Sequence, residues 1–150
     1  MKDDELVLDL LCGIGNFTLP LARRAKQVFG VEGLDILVQR ANENAELNGI
    51  TNVEFHVADL AKEVEALPWW SQGFDKVLLD PARDGAMEAI PHIAKLGVKR
   101  IVYVSCNPAT LARDAGLLVN EHGYTLEKAG AMDMFPHTAH MESIALFTKK

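Results

Sequence analysis

A chain of 150 residues, 49% hydrophobic and 24% charged, has the composition of one ordinary globular domain, long enough to bury about 70% of its unfolded surface. Its formal net charge of −6 argues against a free-standing nucleic-acid binder, which carries a basic excess, but not against an enzyme that meets RNA through one local patch. No apolar run reaches membrane-span length, the acidic start Met1-Lys2-Asp3-Asp4-Glu5 does not suit a signal peptide, and two cysteines cannot form a disulfide framework, so a reduced, cytoplasmic domain is expected.

Leu6-Val7-Leu8-Asp9-Leu10-Leu11 reads as the first strand, and Cys12-Gly13-Ile14-Gly15-Asn16 as the turn that leaves it. Thr18 is placed to cap a helix with Pro20 in its first turn. Val28 to Glu32 gives a second strand, and the helix after it runs from about Leu34 to Asn48, with Gly49 as its C′ residue. Val53 to Val57 is the third strand. Asp59 then opens a short helix ending near Pro68, whose base Trp69 and Trp70 cover rather than binding a ligand. Phe74 to Leu79 is the fourth strand and runs into Asp80-Pro81-Ala82-Arg83. Val98 to Val104 is the fifth, with the β-branched and aromatic side chains that a pleated sheet packs best.

Strands separated by single helices specify a parallel sheet covered on both faces. After a helix from Pro108 to about Glu121 the pattern changes: Tyr124 to Met132 and Ser143 to Thr148 are both strand-like and read as antiparallel neighbours. The expected fold is a single α/β domain over residues 1–150, doubly wound and Rossmann-like, mostly parallel with an antiparallel C-terminal strand.

Gly13 and Gly15 remove side chains where a ligand would approach backbone amides at a helix N-terminus. A dinucleotide fingerprint wants a further glycine at position 18, where Thr18 stands, and this counts against NAD. Glu32 ends the second strand, so its carboxylate can accept both ribose hydroxyls of an adenosine-type ligand. Asp59 follows the third strand, near where the adenine would lie. Turn and acids in this order suit S-adenosylmethionine better than a phosphate-bearing cofactor, because no Lys or Arg stands near the loop for pyrophosphate. Glycines for tight packing and acids as helix caps are the alternative.

Cys106 leaves the fifth strand just before Asn107, a candidate N-cap, and Pro108, a residue suited to the first helical position. Open α/β sheets put their ligands at such strand ends, and a helix N-terminus favours the thiolate form of a cysteine. From position alone, a small buried hydrophobe is an equal alternative. Glu142 by itself reads as a solvated strand-edge acid. Arg83 and Arg113 flank the expected pocket, suited to a nucleotide phosphate or simply to the surface. His137 and His140 lack the helical spacing of a ligand pair with Glu142 and no Cys joins them, so no metal is expected.

Three segments resemble one family: Asp9 to Pro20, Asp80 to Arg83, and Ser105 to Asp114 taken with Asp133-Met134-Phe135-Pro136-His137-Thr138-Ala139-His140-Met141-Glu142. Over essentially its whole length the chain is similar to the catalytic domain of the S-adenosylmethionine-dependent RNA uracil-5-methyltransferases. Its DPAR, SCNPATLARD and DMFPHT strings are most like the branch acting on bacterial 23S ribosomal RNA, whereas tRNA-modifying relatives usually carry proline at the position of Ala82. The resemblance implies cofactor contacts at Leu11, Asn16, Glu32, Asp59 and Asp80, with Leu11 standing where the family often has an aromatic residue. It implies Cys106 as nucleophile, Glu142 as base and a ribosomal RNA substrate; a monomer with no membrane partner is expected.

Carbon 5 of uracil is a poor nucleophile until a thiolate adds to carbon 6, and a base must afterwards remove the carbon 5 proton, so one Cys and one carboxylate are the types required. The family's N-terminal RNA-binding region, central domain, four-cysteine iron–sulfur site and a Phe–Gln segment have no counterpart in these 150 residues. No iron–sulfur cluster is therefore expected in this chain, and RNA binding is expected mostly through those other regions. Two alternatives stay open: methyl transfer to another acceptor, such as a tRNA uridine or cytosine, and a cofactor-binding segment without catalysis.

Overall fold

The computed structural model describes residues 5–10, 21–58, 67–70, 72–81, 86–132 and 142–149. Its strands are β1 (Leu6–Leu10), β2 (Gln27–Glu32), β3 (Val53–Val57), β4 (Lys76–Leu79), β5 (Arg100–Ser105), β6 (Tyr124–Met132) and β7 (Glu142–Lys149). Its described helices are α1 (Asp35–Leu47), α2 (Ile90–Lys95) and α3 (Pro108–Glu121). The strands form one sheet in the order β3-β2-β1-β4-β5-β7-β6. All pairings among β1 to β5 are parallel. β7 runs antiparallel to β6, as the sequence led one to expect, and antiparallel to β5 on its other side.

Side-chain alternation builds the core. Leu8 and Leu10 stand in register with Phe29 and Val31 on one side and with Val77 and Leu79 on the other. Ile101 and Tyr103 continue the row. All eight are at most 1% exposed, and α3 closes over this face with Leu118 buried against them. The opposite face carries a smaller cluster of Val7, Ala22, Ala25 and Val28. Trp69 and Trp70 are buried in the larger core, with Trp69 stacked on His56 at 4.8 Å, which fits the expectation that they pack rather than bind. The helix they were expected to cover falls at 59–66, outside the described residues, as does the one expected after Thr18.

α1 ends where the sequence places its stop: Gly49 has φ +65°, a left-handed conformation that glycine adopts without Cβ strain. Its start is less regular, since Leu34 occupies the N-cap and offers no capping oxygen. α2 was not singled out in the sequence. It is only six residues long, yet Ile90 and Ile93 are fully buried. The expected strands Phe74–Leu79 and Val98–Val104 shift to Lys76–Leu79 and Arg100–Ser105, with Phe74 and Val98 packing into the core as lead-in residues. Among the described residues no helix is long and apolar enough to cross a membrane.

Candidate active site

From β1 the chain winds outward through β2 and β3, then returns to the other side of β1 to lay down β4 and β5. The carboxyl ends of β1 and β4 thus flank a topological switch point, where helices leave in opposite directions and a crevice opens. The residue that follows β4 is Asp80, half-buried, with Pro81 buried behind it. The fully buried Asp9 lies on β1 beside Gly30 of β2 in register. Glu32 closes β2, half-buried at the same edge, and one of its carboxylate oxygens accepts the Gly33 N–H at 3.0 Å. This edge therefore presents carboxylate acceptors, suited to hydroxyl groups rather than to phosphate.

Cys106 sits one residue past β5 as a half-buried free thiol. Its position is fixed from both sides. The buried Ser105 hydroxyl accepts the Asn107 N–H at 3.0 Å and donates to the Asn107 carbonyl at 2.8 Å. The same carbonyl accepts Thr110 Oγ1–H and Leu111 N–H, each at 3.1 Å. Asn107 Oδ1 in turn accepts the Ala109 N–H at 3.1 Å, the N-cap interaction its side chain predicts, and Pro108 fills the next position, where no donor is needed. The thiol is thus carried on a turn stitched to the first turn of α3.

Glu142 is the first residue of β7. The register pairs Ser105 with Ser143, so one step beyond it the chain reaches Cys106 on one strand and Glu142 on the other. Two residues far apart in sequence share one sheet edge, beside the end of β4. That placement is set by backbone pairing alone.

Arg113, expected to flank the pocket, lies on α3 with its Nε–H donated to Asp114 Oδ1 at 3.0 Å. Asp114 itself was read only as part of a motif, and it is wholly buried. Its Oδ2 accepts the Tyr103 hydroxyl at 2.5 Å and the Ala86 N–H at 2.8 Å. Burial first, and then the Asp114 hydrogen bond, push the Tyr103 phenol far above its usual range, so it remains a donor. A signal for Asp114 did exist in the sequence: Leu111, Asp114 and Leu118 recur at helical spacing, so a carboxylate interrupts an apolar stripe and demands partners.

Leu11, Gly13, Gly15, Asn16, Asp59, Arg83, His137 and His140 lie outside the described residues. Among the described residues no cluster of His, Cys, Asp and Glu could hold a metal ion.

The whole chain, residues 1–150, matches the family model described as tRNA (Uracil-5-)-methyltransferase. It is 63% identical over 150 residues to a 23S rRNA (uracil(1939)-C(5))-methyltransferase RlmD of Alkalilimnicola ehrlichii, covering all of this chain and 34% of that one. A protein of the same name from Stenotrophomonas maltophilia is 62% identical over 148 residues, 99% of this chain and 33% of that one. The chain thus spans about a third of the length of the curated relatives it matches. Among solved structures, the Pyrococcus abyssi tRNA (uracil-54, C5)-methyltransferase in complex with S-adenosyl-L-homocysteine superposes with a TM-score of 0.82 at 34% identity, over 98% of this chain and 35% of that one. The precorrin-6y C5,15-methyltransferase of Geobacter metallireducens gives a TM-score of 0.79 at 17% identity, over 99% and 82% of the two chains, a likeness of fold.

Proposed function

The chain belongs to the tRNA (uracil-5-)-methyltransferase family, and from that premise we propose that it transfers the methyl group of S-adenosylmethionine to carbon 5 of a uridine in 23S ribosomal RNA. The observation that carries the reading is the Ser105–Ser143 register, which brings Cys106 and Glu142 to one sheet edge beside the β1/β4 crevice. The residues at that crevice fit the cofactor: a half-buried carboxylate at the end of β2 is the acceptor that a ribose diol calls for, and a sulfonium ligand needs no phosphate cradle. Glu32 and Asp80 would hold it, together with Leu11, Gly13, Gly15, Asn16 and Asp59. When bound, it supplies a methyl group on a positively charged sulfur.

Cys106 acts first. Its thiolate forms a bond to carbon 6 of the uracil, and the electron pair of the 5,6 double bond moves to the carbonyl at carbon 4 as an enolate. Carbon 5 of that enolate would take the methyl group that the bound cofactor supplies. Glu142 then removes the proton from carbon 5, the double bond reforms, and Cys106 departs as thiolate. Arg83 and Arg113 are assigned to phosphates of the target nucleotide. The 150 residues serve as the catalytic domain of this reaction, with the RNA gripped mainly by the parts of the relatives that lie beyond the matched segment.

The test replaces the matched segment of the Alkalilimnicola relative with this chain and supplies 23S RNA fragments. Cys106→Ala should form no covalent RNA complex. Glu142→Gln should add the thiolate and transfer methyl, then stall, accumulating a protein–RNA adduct on a denaturing gel. Covalent trapping by Cys106→Ala, or wild-type turnover by Glu142→Gln, would remove these residues from their roles, and Asp80 would be the next carboxylate to test. Methyl transfer to cytosine or to tRNA in place of 23S uridine would reassign the acceptor.

A further inference from the structure

We propose that Asp114 is a positioning residue for methyl transfer: its buried carboxylate sets the spacing between the Asp80–Pro81 strand end and the Cys106 turn, by holding Tyr103 on one side and Ala86 on the other. The proposal rests on the reading of Cys106 as nucleophile. Tyr103 lies on β5 two residues before Ser105, in the strand that delivers the thiol, and its hydroxyl donates to Asp114 Oδ2 at 2.5 Å. Ala86 ends the segment that follows Asp80 and Pro81, and its N–H donates to the same oxygen at 2.8 Å. Asp114 itself belongs to α3, whose N-terminus is pinned to the Cys106 turn. One oxygen atom therefore joins the two walls of the site and the helix behind them.

Stability alone does not account for a carboxylate here. Asp114 and Tyr103 are both 0% exposed, so the charge has been taken out of water at considerable cost. Apolar side chains replacing Asp114 together with its hydrogen-bonding partners would fill the space without that cost, and such replacements of a whole buried ionic group are often neutral or stabilising. What an apolar side chain cannot do is fix direction. Hydrogen bonds of defined length to a strand and a loop hold both within a fraction of an ångström, and reacting groups are sensitive to displacements of that order. Arg113 Nε–H, at 3.0 Å from Oδ1, occupies the other oxygen and holds the carboxylate's rotation.

The test compares Asp114→Leu with Asp114→Asn. Leucine keeps volume and removes both bridging bonds. Asparagine keeps an acceptor oxygen for Tyr103 and Ala86 and gives up only the bond from Arg113. Three measurements are made: thermal unfolding and S-adenosylmethionine affinity of the chain itself, alkylation of Cys106 by iodoacetamide with the Cys12 peptide as internal reference, and turnover in the chimaeric protein of the preceding section. Asp114→Leu takes the acceptor from the buried Tyr103 hydroxyl and the Ala86 N–H and should unfold several degrees below wild type, with S-adenosylmethionine affinity lowered by no more than a few-fold. Its half-buried Cys106 should be alkylated several-fold faster with Cys12 unaffected, and kcat should fall about 10²-fold. Asp114→Asn should stay within a few-fold of wild type in both respects. Tyr103→Phe, which removes one bridging bond, should show the leucine pattern at smaller amplitude and decides the matter if Asp114→Leu does not fold.

Wild-type alkylation and turnover in a folded Asp114→Leu, or in Tyr103→Phe when leucine does not fold, would overturn the proposal. So would losses of turnover that merely track losses of unfolding temperature. If the wild-type protein does not methylate uridine, or Cys106→Ala does, the functional reading fails instead, while the alkylation ratio still reports whether the bridge holds the turn.

Discussion

Replacing Ser105 by alanine strips the Cys106 turn of a hydroxyl that makes two bonds to one neighbour, accepting from the Asn107 N–H at 3.0 Å and donating to its carbonyl at 2.8 Å. The carbonyl keeps Thr110 Oγ1–H and Leu111 N–H, so it stays satisfied. The Asn107 N–H loses the Ser105 acceptor. Ser105 is only 3% exposed and its two bonds to Asn107 are part-buried, so their loss costs about 1–2 kcal/mol. In a domain of this size each kcal/mol moves the unfolding temperature by roughly 2–4 °C. A drop of several degrees, measured by circular dichroism, is therefore expected. Hydrogen exchange should localise the damage: the amides of Asn107, Ala109 and Leu111 should exchange faster, while those of β1 and β2 change only with global stability. Ser105→Thr keeps the hydroxyl on a β-branched frame suited to a strand end and should restore both readouts. An unfolding temperature and exchange pattern in Ser105→Ala equal to wild type would refute the clamp.

Glu32→Ala should weaken S-adenosylmethionine binding about 10- to 100-fold in calorimetric titration, because a ribose left without its carboxylate has unpaired hydroxyls; unchanged affinity would place the cofactor elsewhere. Asn107→Ala removes the cap of α3 and should cost about 1 kcal/mol in denaturant unfolding, with Asn107→Ser nearly neutral. Tyr103 supplies a pH test with a definite sign. Its phenol is held above the ordinary value of 10.0 in the folded protein, so the fold binds that proton more tightly than the unfolded chain does. The corresponding stability is present below pH 10 and lost as pH rises above it, so the wild-type chain should lose stability more steeply than Tyr103→Phe in alkaline unfolding titrations. Parallel curves above pH 10 would count against the Tyr103–Asp114 bond.

Much of this architecture is local in origin. The strand of Arg100–Ser105 is written in Ile101, Val102, Tyr103 and Val104, and the helix after it in an N-cap asparagine followed by proline. Gly49 marks the end of α1 because a left-handed residue is cheapest there. Cys106, Glu32 and Asp80 are legible as strand-end residues for the same reason: each follows an apolar run whose end can be read from its immediate neighbours. α2 is not legible in the sequence, because six residues hold too little of a 3.6-residue period to stand out, although Ile90 and Ile93 bury completely once a sheet lies beneath them.

What only the tertiary structure decided is which distant groups meet. Sequence alone leaves Glu142 a strand-edge acid; antiparallel pairing of β7 with β5, in the register Ser105 to Ser143, takes its backbone to the Cys106 edge. Nor does the stripe of α3 say that Asp114 answers to Tyr103 and Ala86 at once. Local conformation follows from sterics and capping among adjacent residues, and so it is legible in them. Register and buried pairing follow from which apolar faces close over one another, a choice made by the whole chain when the sheet assembles.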